Sequence, residues 1–501
     1  MAGILSAVHL AASEDCASKA IDTERTSYDA RDVVHNLWES MDLPKHALKS
    51  LALEGEGLGL PSSFKVGPLA QSAIALSALT AALFHSTRTG CDVPKVLVSL
   101  RHACIEFDSE KLYSIAGSNK PALWGPIGGL HKTSDGHVRI HDGFPNHRDG
   151  AKRLLGCSAN ADRAEVASKV AEWKSVELEN TAVEAGLPIV ALRSYAEWDA
   201  LPQSRAVSNT PIKIRKIADG SRYIPTGTSP DKCLRGIRVL EMSRVIAAPV
   251  AGKTLAVHGA DVLWVTSPNL PDLPVVDRDL GRGKRTIQFD INDSRDKETF
   301  HNLAKDADVF IQGFRPGALA AKGLSSSEVA KLNPNGMVIA NMSAYGSSGP
   351  WSGRRGFDSL VQTCSGMNIS EAEHFGDPSV TARPTPCQAL DHASGYFLAA
   401  GVNVALYKRA TEGGSYEVEV SLAAVMKYLR SLGQYEGDSG FQHENVKKQE
   451  DVPDEMLETR ESGFGTLTAV KHSAKIEGVG VGWEHMPKPL GSDEAKWLHY
   501  G

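Results

Sequence analysis

Asp391 is the side chain whose setting points most clearly to chemistry. It lies between a Pro-rich run that begins at Arg383 and an apolar, Ala- and Leu-rich segment that reaches Leu422. This composition predicts a long helix that begins near Asp391, where orphan N–H groups and the helix dipole favour a negative charge. Taken alone, an Asp in this place serves most often as an N-cap. The alternative is a carboxylate that takes part in covalent catalysis.

Basic and aromatic residues recur where predicted strands end. They are Arg282, Lys284, Arg285, Phe314, Arg315 and Tyr345, the last followed by Gly346. Cations suit phosphates and a ring suits a base, so the set favours an anionic, nucleotide-like ligand. Each residue taken singly would be a solvated loop residue, and it is the recurrence at successive strand ends that indicates a site.

The elements that must position these residues follow a βαβ pattern. Gly236–Met242 is a predicted strand, a helix runs from Ala247 to about Val257, and Ala260–Thr266 is a second strand. This pattern predicts a parallel sheet with a right-handed crossover. The first turn has no G-x-G-x-x-G, so an NAD fingerprint is absent, but open α/β sheets bind ligands at the carboxyl ends of their strands.

Four histidines cluster in the first half of the chain, at positions 131, 137, 141 and 147. A Ser-Asp-Gly turn at 134–136 predicts a hairpin among them. The spacing includes no H-E-x-x-H pattern, so solvated strand faces are favoured over a metal site.

Composition limits the class of protein. The chain has 501 residues, 42% hydrophobic and 23% charged, and a net charge of -6. These values predict two or three globular domains and give no reason to expect nucleic acid as a partner. No run of eighteen apolar residues occurs, so no membrane span is expected. Seven scattered cysteines without a C-x-x-C pair and the absence of a basic signal region predict a reduced, cytoplasmic protein.

The stretch from Gly236 to Leu422 resembles the class III CoA-transferase family (CaiB/BaiF type), which includes formyl-CoA transferase and α-methylacyl-CoA racemase. The blocks that carry the resemblance stand in family order: GIRVLEMSRVIAAP, HGADVLWV, GRGKRTIQFDI, ADVFIQGFRPGALAAKGL, LNPNGMVIANMSAYGSSGPW, GFDSLVQTCSG and ALDHASGYFLAAGVNVALYKRATEGGSYEVEVSLA. Several blocks in one order are far more specific than any single motif.

The resemblance implies an α/β fold with a Rossmann-like parallel-sheet large domain, a smaller α+β domain and an interlocked homodimer. Asp391 matches the family's nucleophile, which forms an anhydride with the acyl group and then a thioester with CoA. Coenzyme A would enter as a substrate thioester, with a free carboxylic acid as acceptor and no metal. The implied CoA and substrate contacts are Ala248, Arg282, Lys284, Arg285, Phe314, Arg315, Lys322, Tyr345, Gly346, Arg355 and Phe357. The helix N-terminus would supply oxyanion donors and lower the pKa of Asp391.

Three positions depart from the family pattern. Racemases of the family carry a His where this chain has Phe357, and Phe cannot transfer a proton, so transfer is favoured over racemisation. Ser267 and Ala321 stand where relatives commonly carry Arg near the CoA phosphates, although Lys322 follows the second.

The first half contains a segment that resembles part of the second half. Residues 68–100 parallel residues 391–422, with the ALF of 82–84 matching the ALY of 405–407, and Pro68 falls opposite Asp391. The predicted organisation is a flexible lead-in (1–30), a degenerate repeat helix with a small domain (31–205), a linker (206–231), the CoA-binding catalytic domain (232–425), and a polar segment with a C-terminal strap (426–501). Circular permutation and decayed tandem duplication both account for this order.

Three functions fit this sequence. A CoA-transferase that uses Asp391 is favoured. A racemase or isomerase of the same family and a non-catalytic CoA-binding protein are the alternatives, because a fold does not fix a function.

Overall fold

The computed structural model describes residues 25–118, 124–225 and 230–498. Its strands are β1 (Leu51–Glu54), β2 (Val96–Ser99), β3 (Ser114–Ile115), β4 (Gly129–Lys132), β5 (His137–Ile140), β6 (Ile189–Ala191), β7 (Ile212–Ala218), β8 (Arg238–Met242), β9 (Asp261–Thr266), β10 (Lys284–Gln288), β11 (Val309–Gln312), β12 (Val338–Ser343), β13 (Ser415–Ser421), β14 (Leu457–Ser462), β15 (Gly465–Val470) and β16 (Ala474–Ile476). Its α-helices are α1 (Ala30–Ser40), α2 (Val66–Thr89), α3 (Leu100–Glu106), α4 (Pro145–Leu154), α5 (Arg163–Val170), α6 (Ser175–Glu184), α7 (Tyr195–Asp199), α8 (Pro202–Ala206), α9 (Ala247–Val257), α10 (Pro274–Leu280), α11 (Ser294–Ala304), α12 (Ser326–Ala330), α13 (Asp358–Cys364), α14 (Met367–Phe375), α15 (Ala389–Glu412) and α16 (Leu422–Ser431).

A seven-stranded sheet organises the second half of the chain, in the order β10-β9-β8-β11-β12-β13-β7. Strands β8 to β13 all run parallel to one another, and β7 runs antiparallel beside β13. Strand β9 is buried along its whole length, as expected where helices cover both faces of a parallel sheet. The predicted βαβ unit is confirmed as β8, α9 and β9, and so is the α/β class with a large parallel sheet.

Helix α15 is the central helix of this half. Its side chains are buried nearly throughout, and it packs against α9, β12 and β13. At its C-terminal end the buried guanidinium of Arg409 donates to Asp308 Oδ1 at 2.8 Å and to the Gly336 carbonyl at 3.0 Å. These bonds join the end of α15 to the turns that precede β11 and β12.

Helices α2 and α15 are two copies of one element. Each has 24 residues, and the same spacing of 323 separates their first residues, 66 and 389, and their last residues, 89 and 412. The copies pack against each other, and Asn403 donates to Thr80 Oγ1 at 3.3 Å and to the Ser77 carbonyl at 3.0 Å. Thr80 is the position that this spacing pairs with Asn403. Pro68 is the third residue of α2, where α15 has Asp391.

The strands around the two helices repeat as well. In the three-stranded sheet β1-β2-β16, β1 is parallel and β16 antiparallel to β2. Strand β13 likewise has one parallel neighbour, β12, and one antiparallel neighbour, β7. Both β2 and β13 end in Ser and lead directly into a helix that begins with Leu. A rearranged single copy would hold one such unit, so the two units favour tandem duplication over circular permutation.

The region between the two copies forms a small α+β unit. Strands β4, β5 and β6 make an antiparallel sheet, and the predicted hairpin at 134–136 joins β4 to β5. Helices α4, α5 and α6 share a separate apolar core with this sheet, which includes Val138, Val166 and Leu178.

Two predicted segments differ from the structure. Residues 206–231 were expected as a linker, but β7 lies within them and pairs with β13 along six positions. Residues 426–501 were expected as a polar segment and strap, yet β14 and β15 form a hairpin there that pairs with β3. In both places, partners distant in sequence convert a polar stretch into an ordered strand. Most of the predicted lead-in, 1–24, lies outside the described residues.

Within the described ranges, α2 is the one helix long and apolar enough to cross a membrane by length and composition. In this structure 94% of its most apolar 18-residue stretch is buried inside the protein, mainly under α15 and α1.

Replacement of Arg409 by Met should strongly destabilise the fold, because it leaves the Asp308 carboxylate without its buried cation. We expect the free energy of unfolding to fall by about 3–5 kcal/mol. Lys408→Met is the matched control, since Lys408 lies 3.7 Å from the half-exposed Glu412 and should cost about 0–1 kcal/mol. Urea unfolding followed by tryptophan fluorescence measures both free energies. Equal losses of stability in the two variants would contradict the role that we give to the Arg409–Asp308 ion pair.

Candidate active site

Asp391 lies on the first turn of α15, as predicted from the sequence. Its side chain is only 6% exposed and lines a pocket of about 340 Å³. Among the described residues it is the one carboxylate lining this pocket. The predicted residues that share the pocket are Ala248, Phe314, Arg315, Arg355 and Phe357, and the unpredicted ones include Phe144, His147, Arg244 and Leu270.

The Asp358 carboxylate holds the start of α15 in place. Its Oδ2 accepts hydrogen bonds from the backbone N–H of Leu390 at 2.8 Å and of Asp391 at 3.0 Å. Gln362 donates to the other oxygen, Oδ1. Asp358 therefore occupies helix donors that a reacting oxyanion could otherwise use.

A buried His–Glu pair lies beside the same turn. His392 Nε2 is 2.9 Å from Glu110 Oε2, and both side chains are almost fully buried. The ring of Phe107 stacks on His392 with centroids 5.5 Å apart. Since Phe107 and Glu110 belong to the first half of the chain, the residues around Asp391 come from both halves.

The carboxylates around Asp391 oppose its ionisation. Burial, then the charge of Asp358 and then that of Glu110 raise the pKa of Asp391 well above its usual range. Burial also raises the pKa of Asp358 to about 6. The expectation that the helix N-terminus lowers the pKa of Asp391 is wrong, because burial raises this pKa, and Asp358 takes the helix donors and adds a charge of the same sign.

Three predicted cations lie elsewhere, in buried ion pairs. Arg282 pairs with Asp279 at 2.5 Å. Lys284 contacts Glu241 at 2.9 Å, and Arg285 contacts Asp261 at 2.8 Å. None of the three cations lines the pocket of Asp391, because carboxylates on neighbouring elements hold them inside the fold.

The remaining predicted residues divide between the pocket and its surroundings. Gly346 lines a neighbouring pocket that shares Arg315 with the first. Tyr345 is buried, with its ring centroid 5.3 Å from that of Trp351. Lys322 is exposed on the short turn Ala320–Lys322. These three residues therefore do not line the pocket of Asp391.

Three of the four histidines are buried, and the expectation of solvated strand faces is wrong for them. His131, His141 and His147 are each at most 6% exposed. The ring of His141 stacks on Phe357 with centroids 3.8 Å apart, so the small unit packs directly beside the pocket. Within the described ranges, no group of three or more His, Cys, Asp or Glu side chains is arranged to hold a metal ion.

Comparison with known proteins confirms the predicted resemblance. Residues 234–461 match the family described as CoA-transferase family III. An acetyl-coenzyme A transferase of Hypoxylon pulicicidum is 34% identical over 42% of this chain and 36% of its own length. A probable fatty acyl-CoA transferase of Mycobacterium tuberculosis is 33% identical over 42% of this chain and 55% of its own.

Two further comparisons concern a mouse enzyme and a solved structure. The succinyl-CoA:glutarate CoA-transferase of Mus musculus is 29% identical over 40% of this chain and 49% of its own length. An orthorhombic crystal structure of the Mycobacterium tuberculosis protein aligns with TM-score 0.37 at 32% identity, over 40% of this chain and 57% of that one. The chain thus spans about half the length, or less, of the curated relatives it matches.

The raised pKa of Asp358 should appear in the pH dependence of stability. Because the folded-state pKa of about 6 exceeds the ordinary 3.8, the folded protein keeps a proton that the unfolded chain loses, and stability falls as pH rises from about 4 to about 6. Asp358→Asn has no carboxyl group to titrate at this position. The free energy of unfolding of this variant should therefore decline less than that of the wild type between about pH 4 and pH 6, by up to about 3 kcal/mol.

The measurement is urea unfolding at several pH values, with the exposed Asp438→Asn as control. The difference in slope between Asp358→Asn and the wild type is the readout. Parallel curves for the two proteins would show that Asp358 titrates normally in the folded state.

Proposed function

Because residues 234–461 match CoA-transferase family III, we propose that this chain moves CoA from an acyl-CoA to a free carboxylic acid, with Asp391 as the nucleophile. The observation that carries the proposal is the position of Asp391. It is a buried carboxylate with a raised pKa, on the first turn of a rigid helix, and it lines a pocket whose other charged side chains are cations.

The chemistry proceeds by four acyl transfers. An Asp391 oxygen attacks the thioester carbonyl, forming a mixed anhydride and releasing the CoA thiolate. The thiolate attacks the Asp391 carbonyl, giving an enzyme–CoA thioester and the first free acid. The acceptor carboxylate then attacks this thioester to form a second anhydride, and the released thiolate attacks the acceptor's carbonyl. The new acyl-CoA leaves with the Asp391 carboxylate restored.

The crowded carboxylates favour states in which Asp391 carries no negative charge. An ionised Asp391 is destabilised by burial and by the charges of Asp358 and Glu110. Formation of the anhydride or the thioester removes the negative charge of Asp391 from this group, so the repulsion is relieved as the covalent bond forms. The proposed covalent state therefore gains stability relative to the free carboxylate.

The cations of the pocket suit an anionic acyl-CoA. Arg244, Arg315 and Arg355 line it together with the rings of Phe144, Phe314 and Phe357. Guanidinium groups bind phosphate or carboxylate oxygens in bidentate geometry, and the rings offer apolar contact to an acyl chain. Among these contacts, we assign Arg315 and the rings to CoA and the acyl group.

A racemase is the second candidate within the family. Two-base racemisation needs a second acid–base group near Asp391, and Phe357 occupies the position where family racemases carry His. Exchange of the α-proton of an acyl-CoA in D2O, without acyl transfer, would favour the racemase. CoA binding with neither reaction would favour the non-catalytic binding protein.

Hydroxylamine trapping tests the nucleophile. We expect an acyl-CoA to yield a hydroxamate on the peptide that contains Asp391, and Asp391→Asn to lower its rate of formation by about a thousandfold or more. The exposed Asp377→Asn is the matched control and should behave as the wild type. Intact-protein mass spectrometry with peptide mapping gives the readout. A hydroxamate that persists in Asp391→Asn, or tight acyl-CoA binding without any adduct, would contradict the assignment.

The internal repeat bears on the homodimer that the resemblance implies. Helix α15 is buried on nearly all sides, and α2 of the same chain covers one of its faces. We therefore expect light scattering coupled to size exclusion to give the mass of one chain, 53.7 kDa. A mass twice as large would favour the homodimer.

A further inference from the structure

Three buried N–H groups around the pocket of Asp391 have no acceptor among the described residues. They are Nδ1 of His147, Nε of Arg244 and Nε of Arg355, and all three side chains line the pocket. Buried donors are normally paired, so three orphan donors in one pocket indicate a ligand that brings acceptor oxygens.

The tautomer of His147 follows from its neighbour. Nη1 of Arg355 lies 2.5 Å from His147 Nε2, and because a guanidinium can only donate, Nε2 must be the acceptor. The proton of the neutral ring therefore resides on Nδ1, the nitrogen without a partner. Burial, Arg355 and Arg244 lower the pKa of His147 to about 4, which keeps the ring neutral near pH 7.

The packing around these donors is rigid. His147 lies on the first turn of α4 and meets the rings of Phe144 and Phe357 at centroid distances of 5.5 and 5.9 Å. The guanidinium of Arg244 stacks over Phe144 at 4.3 Å and donates to the Pro271 carbonyl. Donors fixed in this way are pre-organised for a ligand oxygen, with little freedom to lose on binding.

The two guanidinium groups favour an anion as the ligand beside Asp391. The backbone N–H groups of Leu390 and Asp391 are occupied by Asp358, so α15 offers neither of them to an incoming anion. A second carboxylate near Asp391 would meet a charge of its own sign, and the two guanidinium groups offset that repulsion. His147 adds a neutral donor with a fixed direction.

We propose that His147 Nδ1–H, Arg244 and Arg355 form the binding site for the carboxylate of the acceptor acid, beside Asp391. This inference rests on the proposed transferase function and deepens it: the small α+β unit, through His147, would recognise the acceptor. The chemistry is that of a carboxylate oxygen held by one imidazole N–H and two guanidinium N–H groups, oriented to attack the enzyme–CoA thioester.

Two replacements of His147 separate its two nitrogens. In His147→Gln the amide oxygen can take the place of Nε2 and accept from Arg355, while the donor at Nδ1 is lost. In His147→Asn the amide N–H can take the place of Nδ1, while the acceptor for Arg355 is lost. His137→Gln, on β5 of the same small unit and outside the pocket, is the matched control.

The half-reactions supply the readout. Each protein is mixed with succinyl-CoA or acetyl-CoA alone, and the CoA adduct on Asp391 is followed by mass spectrometry; sodium glutarate, oxalate or acetate is then added and the decay of the adduct is timed. We expect His147→Gln to discharge the adduct about tenfold or more slowly, and to form it more slowly as well, because the donor's own carboxylate leaves through the same site. His147→Asn should discharge it faster than His147→Gln, and His137→Gln should match the wild type.

Opposite results would overturn the inference. Slower adduct formation with unchanged discharge would assign these donors to CoA, through a phosphate or the thioester oxygen. Better function in His147→Gln than in His147→Asn would show that His147 serves only to hold Arg355. Equal discharge in all variants would remove His147 from the site.

A binding measurement separates this inference from the proposed function. If the wild type forms no adduct with either donor, the transferase proposal fails, and calorimetric titration of the wild type and His147→Gln with glutarate, oxalate and acetate decides the inference. Carboxylate binding weakened about tenfold in His147→Gln would support the site. Binding that is absent, or equal in both proteins, would overturn it.

Discussion

The hydrogen bonds from the start of α15 to the Asp358 carboxylate are the interaction on which this site depends. They fix the turn that carries Asp391, and they use donors that would otherwise stabilise its negative charge. The same contact places a second buried acid beside Asp391. The hydrogen bonds therefore position Asp391, while burial and the charge of Asp358 raise its pKa. This relates the geometry of the helix to the reactivity that we propose for Asp391.

The packing of the two repeated helices brings residues far apart in sequence together at this turn. The first copy has Pro68 at the position of Asp391, yet its helix α2 covers α15. Glu110, which follows this copy, pairs with His392 next to Asp391. The first copy would thus support the second without a reactive carboxylate of its own at this position. The small unit between the copies brings His141 and His147 to the other side of the pocket.

Local patterns predict the elements of this protein well and its tertiary pairings less well. The apolar run from Pro68 to Gly90 and the segment after Asp391 determine α2 and α15, because burial on all sides requires such composition. Arg282, Lys284 and Arg285 look like phosphate ligands in sequence, but their carboxylate partners Asp279, Glu241 and Asp261 are chosen by the register of packed strands and helices. The sequence of the basic loop alone does not indicate which carboxylates will lie beside it.

Tertiary contacts that local patterns do not predict also account for the site residues that were missed. Asp358 and Arg244 lie inside blocks that carry the family resemblance, and His392 follows Asp391, so their positions could have suggested a role. Glu110 and His147 lie in the first half of the chain, and only the packing of the two halves brings them to the site. The histidines between 131 and 147 alternate like exposed strand residues, yet contact with Phe357 buries His141.

Transfer of oxygen to Asp391 is the measurement that tests the central claim most directly. In the proposed sequence the acceptor's carboxylate oxygen bridges the second anhydride and remains on the Asp391 carboxylate when the new acyl-CoA departs. An acceptor acid labelled with ¹⁸O in both carboxylate oxygens should therefore leave one ¹⁸O on the peptide that contains Asp391 after a single turnover, a gain of about 2 Da by mass spectrometry. Transfer of CoA without label on Asp391 would show that the acids exchange without passing through this carboxylate, and would contradict the account.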